Sequence, residues 1–210
     1  MKDLYVVTHT QSRHHVGGKV GGWYDTGLTP SGQRDAEAVA ARLAALLGDR
    51  ALEIFSSDLL RASQTAAYIG RRFGRTVIED PGLREISYGA AEGRPQAWLD
   101  DRYSPAPDHD RMDHHVGIEG SETRRDVAKR VYRSLDDILS RPCETQIIVT
   151  HGFTLTMVIC AWMKLPMDAV GFASFPAGPG SITHLQEDDF WRNRAVRLLA
   201  DRSHLADGDI

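Results

Sequence analysis

Short apolar runs typical of buried strands alternate along this chain with longer segments whose apolar residues recur at helical spacing. The short runs predict strands at residues 4–7, 53–56, 77–78, 146–150, 181–186 and 195–199. The longer segments predict helices at residues 30–47, 59–73, 122–139 and 152–162. This alternation is typical of an α/β fold, in which helices cover both faces of a mostly parallel sheet. We therefore expect a three-layer α/β/α sandwich.

The length of the chain fits one domain. Its 210 residues are enough for a single sizeable core, and no repeat or linker divides residues 1–210. The stretch from Asp80 to about Gly120 is irregular and interrupted by prolines. Within it, residues 100–120 are too polar for a core, so we predict that they form a lid or insertion over the site.

Charge and hydropathy exclude two classes of partner. A net charge of −4 supplies no basic field for nucleic acid, and a mean hydropathy of −0.35 argues against a membrane. Met1 is followed directly by a strand, so we expect no signal peptide, and Cys160 in an apolar helical stretch favours a free thiol. The expected protein is cytoplasmic and binds a small molecule. An edge strand or exposed helix leaves a homodimer open.

Two predicted strands end in the same dipeptide. Residues 6–9 read VVTH and residues 148–151 read IVTH, so each apolar run leads directly into a Thr-His pair. Open α/β sheets place their ligands at the carboxyl ends of the strands. We therefore expect His9 and His151 to meet at one edge of the sheet. Histidine can act as a nucleophile and as a proton carrier near neutral pH, so the pair points to chemistry.

An arginine and a glutamate complete the set that phosphoryl transfer through a protein nucleophile requires. Arg61 falls in the first turn of a predicted helix just after a strand, where a planar guanidinium can hold phosphate oxygens with two nitrogens. Glu85 lies on a loop between Leu83 and Ile86, and partial burial there would suit it to protonate a leaving oxygen.

Four segments in order resemble the histidine phosphatase superfamily, the phosphoglycerate mutase-like group. They read THTQS at residues 8–12, SSDLLRASQTA at 56–66, LREISYGAAEG at 83–93 and VTHG at 149–152. Residues 22–25 (GWYD) and 120–123 (GSET) also resemble segments of this family. The resemblance covers nearly the whole chain. It implies a mutase-like fold and phosphoryl transfer to and from a small phosphorylated metabolite, without a metal or cofactor.

The resemblance also implies individual roles. His9 matches the histidine that becomes phosphorylated, and His151 matches the second histidine of the phosphate pocket. Arg61 matches a phosphate-holding arginine, Glu85 the proton donor, and Tyr88 a tyrosine that contacts the substrate. Three further residues fall at positions that line the pocket: Gln11, Gly22 and Gly152.

The first segment departs from the family pattern. Where the family has Arg-His-Gly, this chain has Thr8-His9-Thr10, so a threonine replaces a phosphate-binding arginine. Thr8 and Thr10 are predicted to face the substrate, and a hydroxyl there would suit a group less charged than phosphate. Arg13, Lys19 and Arg84 are the candidates for a cation that folds back into the vacated space.

Three functions remain as hypotheses. The leading one is a metal-independent phosphatase that works through a phosphohistidine. The second is a phosphoglycerate mutase, which the GWYD segment and Tyr88 favour. The third is a family member with altered or no catalysis, retained for binding, which the replacement of arginine by Thr8 favours.

Two further groups of histidines are interpreted as surface. His14 and His15 are adjacent in a polar loop, as are His114 and His115, with His109 nearby. Adjacent histidines in such loops are typical of solvated positions, and their spacing matches no closed set of metal ligands. We therefore predict no metal site.

Overall fold

Strands and helices alternate along the computed structural model, which describes residues 1–205. The strands are β1 (Lys2–Thr8), β2 (Leu52–Ser56), β3 (Val77–Glu79), β4 (Thr145–Thr150), β5 (Ile182–Glu187) and β6 (Arg194–Asp201). The helices are α1 (Arg13–Val16), α2 (Pro30–Leu47), α3 (Leu60–Phe73), α4 (Gln96–Asp100), α5 (Arg124–Ser140) and α6 (Gly152–Trp162). Every predicted strand and helix is present to within two residues at each end, whereas α1 and α4 were not predicted. No helix within residues 1–205 is both long and apolar enough to cross a membrane.

The six strands form one sheet in the order β3-β2-β4-β1-β5-β6. The pairings of β3, β2, β4 and β1 are parallel, whereas β5 runs antiparallel to both β1 and β6. The sheet is therefore mostly parallel, as predicted, and the last two strands form a hairpin at its edge. The parallel strands at the centre bring their carboxyl ends to one side of the molecule.

Alternating side chains of β1 serve two separate cores. Leu4 and Val6 pack on one face of the sheet with apolar residues of α5 and α6. Tyr5 and Val7 pack on the other face with apolar residues of α2 and α3. Successive residues of a strand point to opposite faces, so one short apolar run joins both helix layers to the sheet. This arrangement confirms the predicted α/β/α sandwich.

Residues 100–120 are only partly as predicted. Apart from turns they are irregular, but Val116 and Ile118 are buried in a small apolar cluster with Val20 and Leu99. The prediction that the segment is too polar to contribute to a core is therefore wrong, because short apolar residues between polar ones anchor it. None of its residues lines the cavity described below, so the lid stays a prediction.

The start of α2 is tightly packed against the loop that follows β1. Thr29 caps the helix by accepting a hydrogen bond from the Gly32 backbone nitrogen at 3.0 Å, and Pro30 occupies its first turn. A Cβ atom at Gly32 would lie 2.0 Å from the carbonyl oxygen of Gln11. Glycine is therefore required here for a close approach of two backbone segments.

We expect Gly32→Ala to destabilise the protein by about 3 kcal/mol, although alanine favours helices, because the new methyl group must push the Gln11 backbone away. The control is Gln33→Ala, an exposed position in the same turn, which should change the stability by no more than about 0.5 kcal/mol. Urea unfolding of both variants measures the difference. Equal stability of Gly32→Ala and wild type would show that the two segments are not in contact.

Candidate active site

The two Thr-His pairs meet at the carboxyl edge of the sheet. In the parallel pairing of β1 with β4, Thr8 lies opposite Thr150, and the backbone nitrogen of His9 donates to the Thr150 carbonyl at 2.8 Å. The rings of His9 and His151 consequently lie edge to face, with their centroids 5.1 Å apart. Both side chains are buried. The expectation that they come together at one edge is confirmed.

The hydrogen bonds of His9 leave one ring nitrogen available for chemistry. Its Nδ1 lies 2.8 Å from the Thr10 carbonyl oxygen, which can only accept, so Nδ1 carries the proton of the neutral ring. The lone pair is then on Nε2, which accepts from Nε of Arg61 at 3.2 Å. Burial, and then the positive charge of Arg61, hold the pKa of His9 well below its usual value. A neutral ring of fixed tautomer is the state that a nucleophile needs.

Arg61 lies in the first turn of α3, where it is almost fully buried. Its Nη2 donates to the carbonyl of Gly22 at 2.6 Å, and its Nη1 donates to the carbonyl of Tyr24 at 3.1 Å. Nε is the nitrogen that faces His9. The guanidinium therefore holds residues 22–24 in place while it presents its charge to the nucleophile. The expectation that two of its nitrogens hold phosphate oxygens stays a prediction.

His151 is the N-cap residue of α6 and is fully buried. Its Nε2 lies 2.8 Å from the Ser57 hydroxyl, whereas its Nδ1 has no hydrogen-bond partner within residues 1–205. A buried polar atom without a partner costs free energy, which is typical of functional sites. Burial is the main cause that keeps the pKa of His151 well below its usual value, and the charge of Arg61 is the next.

The Glu85 carboxylate is held at the N-terminus of α6. Its Oε2 accepts from the Phe153 nitrogen at 3.1 Å, and its Oε1 accepts from the nitrogen and the hydroxyl of Thr154, each at 3.2 Å. The Ile86 nitrogen donates to the same Oε1 at 2.9 Å. These bonds fix the Glu85 side chain at the edge where His9 and His151 meet.

These groups surround a cavity of about 230 Å³. Seven of the predicted site residues line it: Thr8, His9, Gly22, Arg61, Glu85, Tyr88 and Gly152. His151 lies behind this lining, against the ring of His9. Burial, and then the charge of Glu85, raise the pKa of Tyr88, so its hydroxyl stays protonated and can donate to a ligand. Glu85 is the only carboxylate among the described residues that line the cavity.

Two of the predicted site residues do not line the cavity. The hydroxyl of Thr10 donates to the Gly32 carbonyl at 2.7 Å, so its side chain points into the protein toward α2. The side-chain oxygen of Gln11 accepts from the Thr29 hydroxyl at 2.7 Å. The prediction that these two side chains face the substrate is therefore wrong. Both instead join the end of β1 to the start of α2.

Thr8 lines the cavity, but its hydroxyl has partners within the protein. It donates to the Gly178 carbonyl at 2.7 Å and accepts from the Ser181 nitrogen at 3.1 Å. This contact explains why Ala177 and Pro179 also line the cavity, which the sequence did not predict. The hydroxyl of Thr8 is thus engaged by the segment before β5, and contact of this residue with a substrate stays a prediction.

None of the three candidate cations fills the space at position 8. Arg84 pairs with Asp58, with its Nε 2.7 Å from a carboxylate oxygen. Lys19 lies over the ring of Tyr24, and Arg13 is exposed to solvent. These three arginine and lysine side chains are absent from the described lining of the cavity.

Two imidazoles that were predicted to be surface residues line the cavity instead. His14 is buried and His15 is exposed at the rim, and their rings lie 6.2 and 5.3 Å from the ring of His9. The prediction of a solvated pair is wrong for His14, because Ser12 starts the short helix α1 and turns both rings toward the site. Ser12 is the one sequence signal for this turn. Residues 1–205 contain no group of three or more histidine, cysteine or acidic residues arranged to hold a metal ion.

We expect the protein to lose stability as the pH falls below about 6.5, the usual pKa of histidine. Burial is the main cause that lowers the pKa of His14 to about 3. The folded protein therefore leaves His14 neutral over a range in which the unfolded chain binds a proton, and acid favours the unfolded state. Each such histidine lowers the unfolding free energy by up to about 1.4 kcal/mol per pH unit.

Urea unfolding at about pH 7 and about pH 5 measures this slope. His14→Asn should lower this slope by the contribution of about one bound proton per unfolded chain. His109→Asn, at an exposed position, should leave the slope unchanged. If wild type and His14→Asn show the same slope, His14 is not held neutral by the fold.

Comparison with known proteins agrees with this geometry. The sequence profile of the histidine phosphatase superfamily (branch 1) matches residues 4–198. The chain is 31% identical to the probable phosphoglycerate mutase GpmB of Yersinia pestis over an alignment of 175 residues. This alignment covers 80% of this chain and 78% of that protein.

Solved structures of similar proteins share the fold. A mycobacterial glucosyl-3-phosphoglycerate phosphatase in complex with VO3 superposes with a TM-score of 0.78 and 28% identity, over 95% of this chain and 99% of that one. The α-ribazole phosphatase of Shigella flexneri, at 21% identity, is similar in fold, with a TM-score of 0.76 over 95% and 96% of the two chains. With its two histidines, its buried arginine and this match along almost its whole length, the chain belongs to the histidine phosphatase superfamily, branch 1.

Proposed function

We propose that this protein hydrolyses a small phosphomonoester through a phosphohistidine intermediate on His9. The observation that carries the proposal is the pair of contacts on the His9 ring. Nδ1–H is anchored on the Thr10 carbonyl, and the lone pair of Nε2 lies beside the Arg61 guanidinium. A neutral imidazole next to a fixed cation can attack a phosphoryl group and lower the negative charge that repels it.

In the first half-reaction, Nε2 of His9 forms a bond to phosphorus while the bond from phosphorus to the leaving oxygen breaks. Arg61 compensates the charge on the phosphoryl oxygens, and the neutral ring of His151, behind the cavity lining, packs against the ring of His9. Glu85, in its protonated form, gives the leaving oxygen its proton. The products of this step are a free alcohol and phosphohistidine.

In the second half-reaction, water attacks phosphorus and the bond to Nε2 breaks. The Glu85 carboxylate accepts the proton of the attacking water and so regains the form that it had at the start. The backbone nitrogens of Phe153 and Thr154 donate to the two oxygens of Glu85 at the N-terminus of α6. These bonds keep the side chain in one place while it gives up and regains the proton. The sum of the two steps is hydrolysis of the ester by one water molecule.

The comparisons support this reaction class. The mycobacterial glucosyl-3-phosphoglycerate phosphatase, at 26–28% identity, has been solved with VO3 and with inorganic phosphate. We infer that the cavity beside His9 binds a phosphoryl group. The location that we propose, from the composition of the chain, is the cytoplasm, and the proposed partner is a phosphorylated small molecule.

A phosphoglycerate mutase is the second candidate, because the relative from Yersinia pestis carries that probable activity and Tyr88 lines the cavity. A mutase must keep its phosphohistidine from water between half-reactions, whereas the cavity here has an exposed residue, His15, at its rim. A bisphosphoglycerate-dependent assay of phosphoglycerate interconversion separates the two. Hydrolysis without interconversion rejects the mutase.

We expect His9→Ala to lower phosphate release from a panel of phosphomonoesters by about a thousandfold or more, because the substitution removes the ring nitrogen that lies beside Arg61. Gln33→Ala, at an exposed position of α2 that does not line the cavity, is the folded control. Quenching wild type and labelled substrate with detergent at alkaline pH should trap a phosphoprotein that loses its label in acid and that His9→Ala lacks. Unchanged activity in His9→Ala would remove His9 as the nucleophile.

We expect the effect of Glu85→Gln to depend on the leaving group. Alkyl phosphates need a proton on the departing oxygen, so their kcat/KM should fall by about a hundredfold or more. A nitrophenyl phosphate leaves as a stable anion, so its kcat/KM, which reports the first half-reaction, should fall much less. An equal loss for both substrate classes would contradict the assignment of Glu85 as the general acid.

A further inference from the structure

The cavity presents few charged hydrogen-bond donors to a bound oxyanion. A phosphoryl group presents three oxygens, and among the described lining residues Arg61 supplies the only guanidinium. Position 8 contributes a hydroxyl that is engaged by Gly178 and Ser181. Thr8, which stands where the family has an arginine, therefore does not donate to a bound oxyanion. Another residue has to supply that hydrogen bond.

The ring of His15 lies on that cavity as an available donor. It stacks on the ring of His9 with a centroid distance of 5.3 Å and an angle of 17° between the planes. Its Nδ1 accepts from the backbone nitrogen of Ser12 at 3.4 Å, so the proton of the neutral ring is on Nε2. Unlike the hydroxyl of Thr8, this N–H has no partner within the described residues.

The position of His15 is set by neighbours that leave its Nε2 free. The ring of His14 packs against it at 4.2 Å, and Nδ1 of His14 lies within hydrogen-bond distance of the hydroxyls of Ser12 and Thr26. A Cβ at Gly21 would come within 2.8 Å of Nε2 of His14, so glycine makes room for this pair. The short helix α1 is thus fixed over the cavity.

The electrostatic surroundings favour a neutral ring for His15. Partial burial, and then the charge of Arg61, lower the pKa of His15. The titratable groups that line the cavity with it are His9, His14, Arg61, Glu85 and Tyr88. Behind the adjacent His14, a surface groove is lined by charged residues of both signs: Arg13, Lys19 and Asp25.

We propose that His15 binds the transferred phosphoryl group through Nε2–H and supplies the contact that an arginine makes at position 8 elsewhere in the family. The inference rests on the proposed function for the identity of the bound group. The contact itself requires only an oxyanion in the cavity. A neutral imidazole contributes one donor where a guanidinium contributes two and a full charge. The site consequently depends on Arg61 for its permanent positive charge.

The test compares three variants of the full chain by calorimetric titration with sulfate, an oxyanion that cannot be turned over. His15→Leu removes the donor, His15→Asn keeps one on a shorter side chain, and Val16→Ala alters an exposed neighbour in the same helix. The kcat/KM for a nitrophenyl phosphate is measured in parallel. Circular dichroism confirms that each variant is folded, and His15→Ala replaces His15→Leu if the latter is not.

We expect His15→Leu to weaken sulfate binding and to lower kcat/KM by about ten- to a hundredfold, the value of one hydrogen bond to a charged group. His15→Asn should stay within about threefold of wild type, and Val16→Ala should match it. Sulfate binding that is unchanged in His15→Leu, or lost equally in His15→Asn, overturns the proposal. So does a wild-type protein that binds no sulfate.

The two proposals fail in different ways. If His15→Leu weakens sulfate binding but wild type hydrolyses no phosphomonoester, His15 is an oxyanion ligand and the proposed hydrolysis is wrong. If wild type hydrolyses phosphomonoesters through His9 and His15→Leu does so equally well, the hydrolysis stands and the role of His15 is overturned.

Discussion

The parallel pairing of β1 with β4 is the constraint on which the site depends. Because Thr8 lies opposite Thr150, the next residue of each strand emerges at the same height at the carboxyl edge of the sheet. The hydrogen bond from the His9 nitrogen to the Thr150 carbonyl continues the ladder by one step beyond the last pair. A shift of one residue in this register would send one histidine to the other face of the sheet.

The electrostatic character of the site follows from burial around one cation. His9, His14 and His151 are buried close to Arg61, and all three stay neutral because burial disfavours a charged ring. Burial lowers the pKa of Arg61, but a guanidinium still stays charged near neutral pH, and the carbonyls of residues 22 and 24 accept from it. An overall negative protein thus contains a small, permanently positive pocket suited to an anion.

Local sequence patterns were enough to predict the sheet, the four long helices and the meeting of the two Thr-His pairs. Periodicity and strand ends are local properties, and the parallel topology converts them into a shared edge. The directions of the Thr10 and Gln11 side chains were not predictable, because they are set by Gly32 and Thr29, which are distant in sequence. His14 and His15 were missed for a similar reason. A polar loop looks solvated until the fold places it over a cavity.

The hydrogen bonds of the Thr8 hydroxyl make position 8 a structural connection as well as part of the cavity. That hydroxyl joins the end of β1 to the segment that precedes β5, through Gly178 and Ser181. An arginine at this position would have no hydroxyl for these partners, and the buried Ser181 nitrogen would keep only its 3.2 Å hydrogen bond to the Gly178 carbonyl. Thr8 therefore joins two segments that are distant in sequence as well as lining the cavity. Its replacement by arginine alone would loosen the segment before β5 while it added a charge to the cavity.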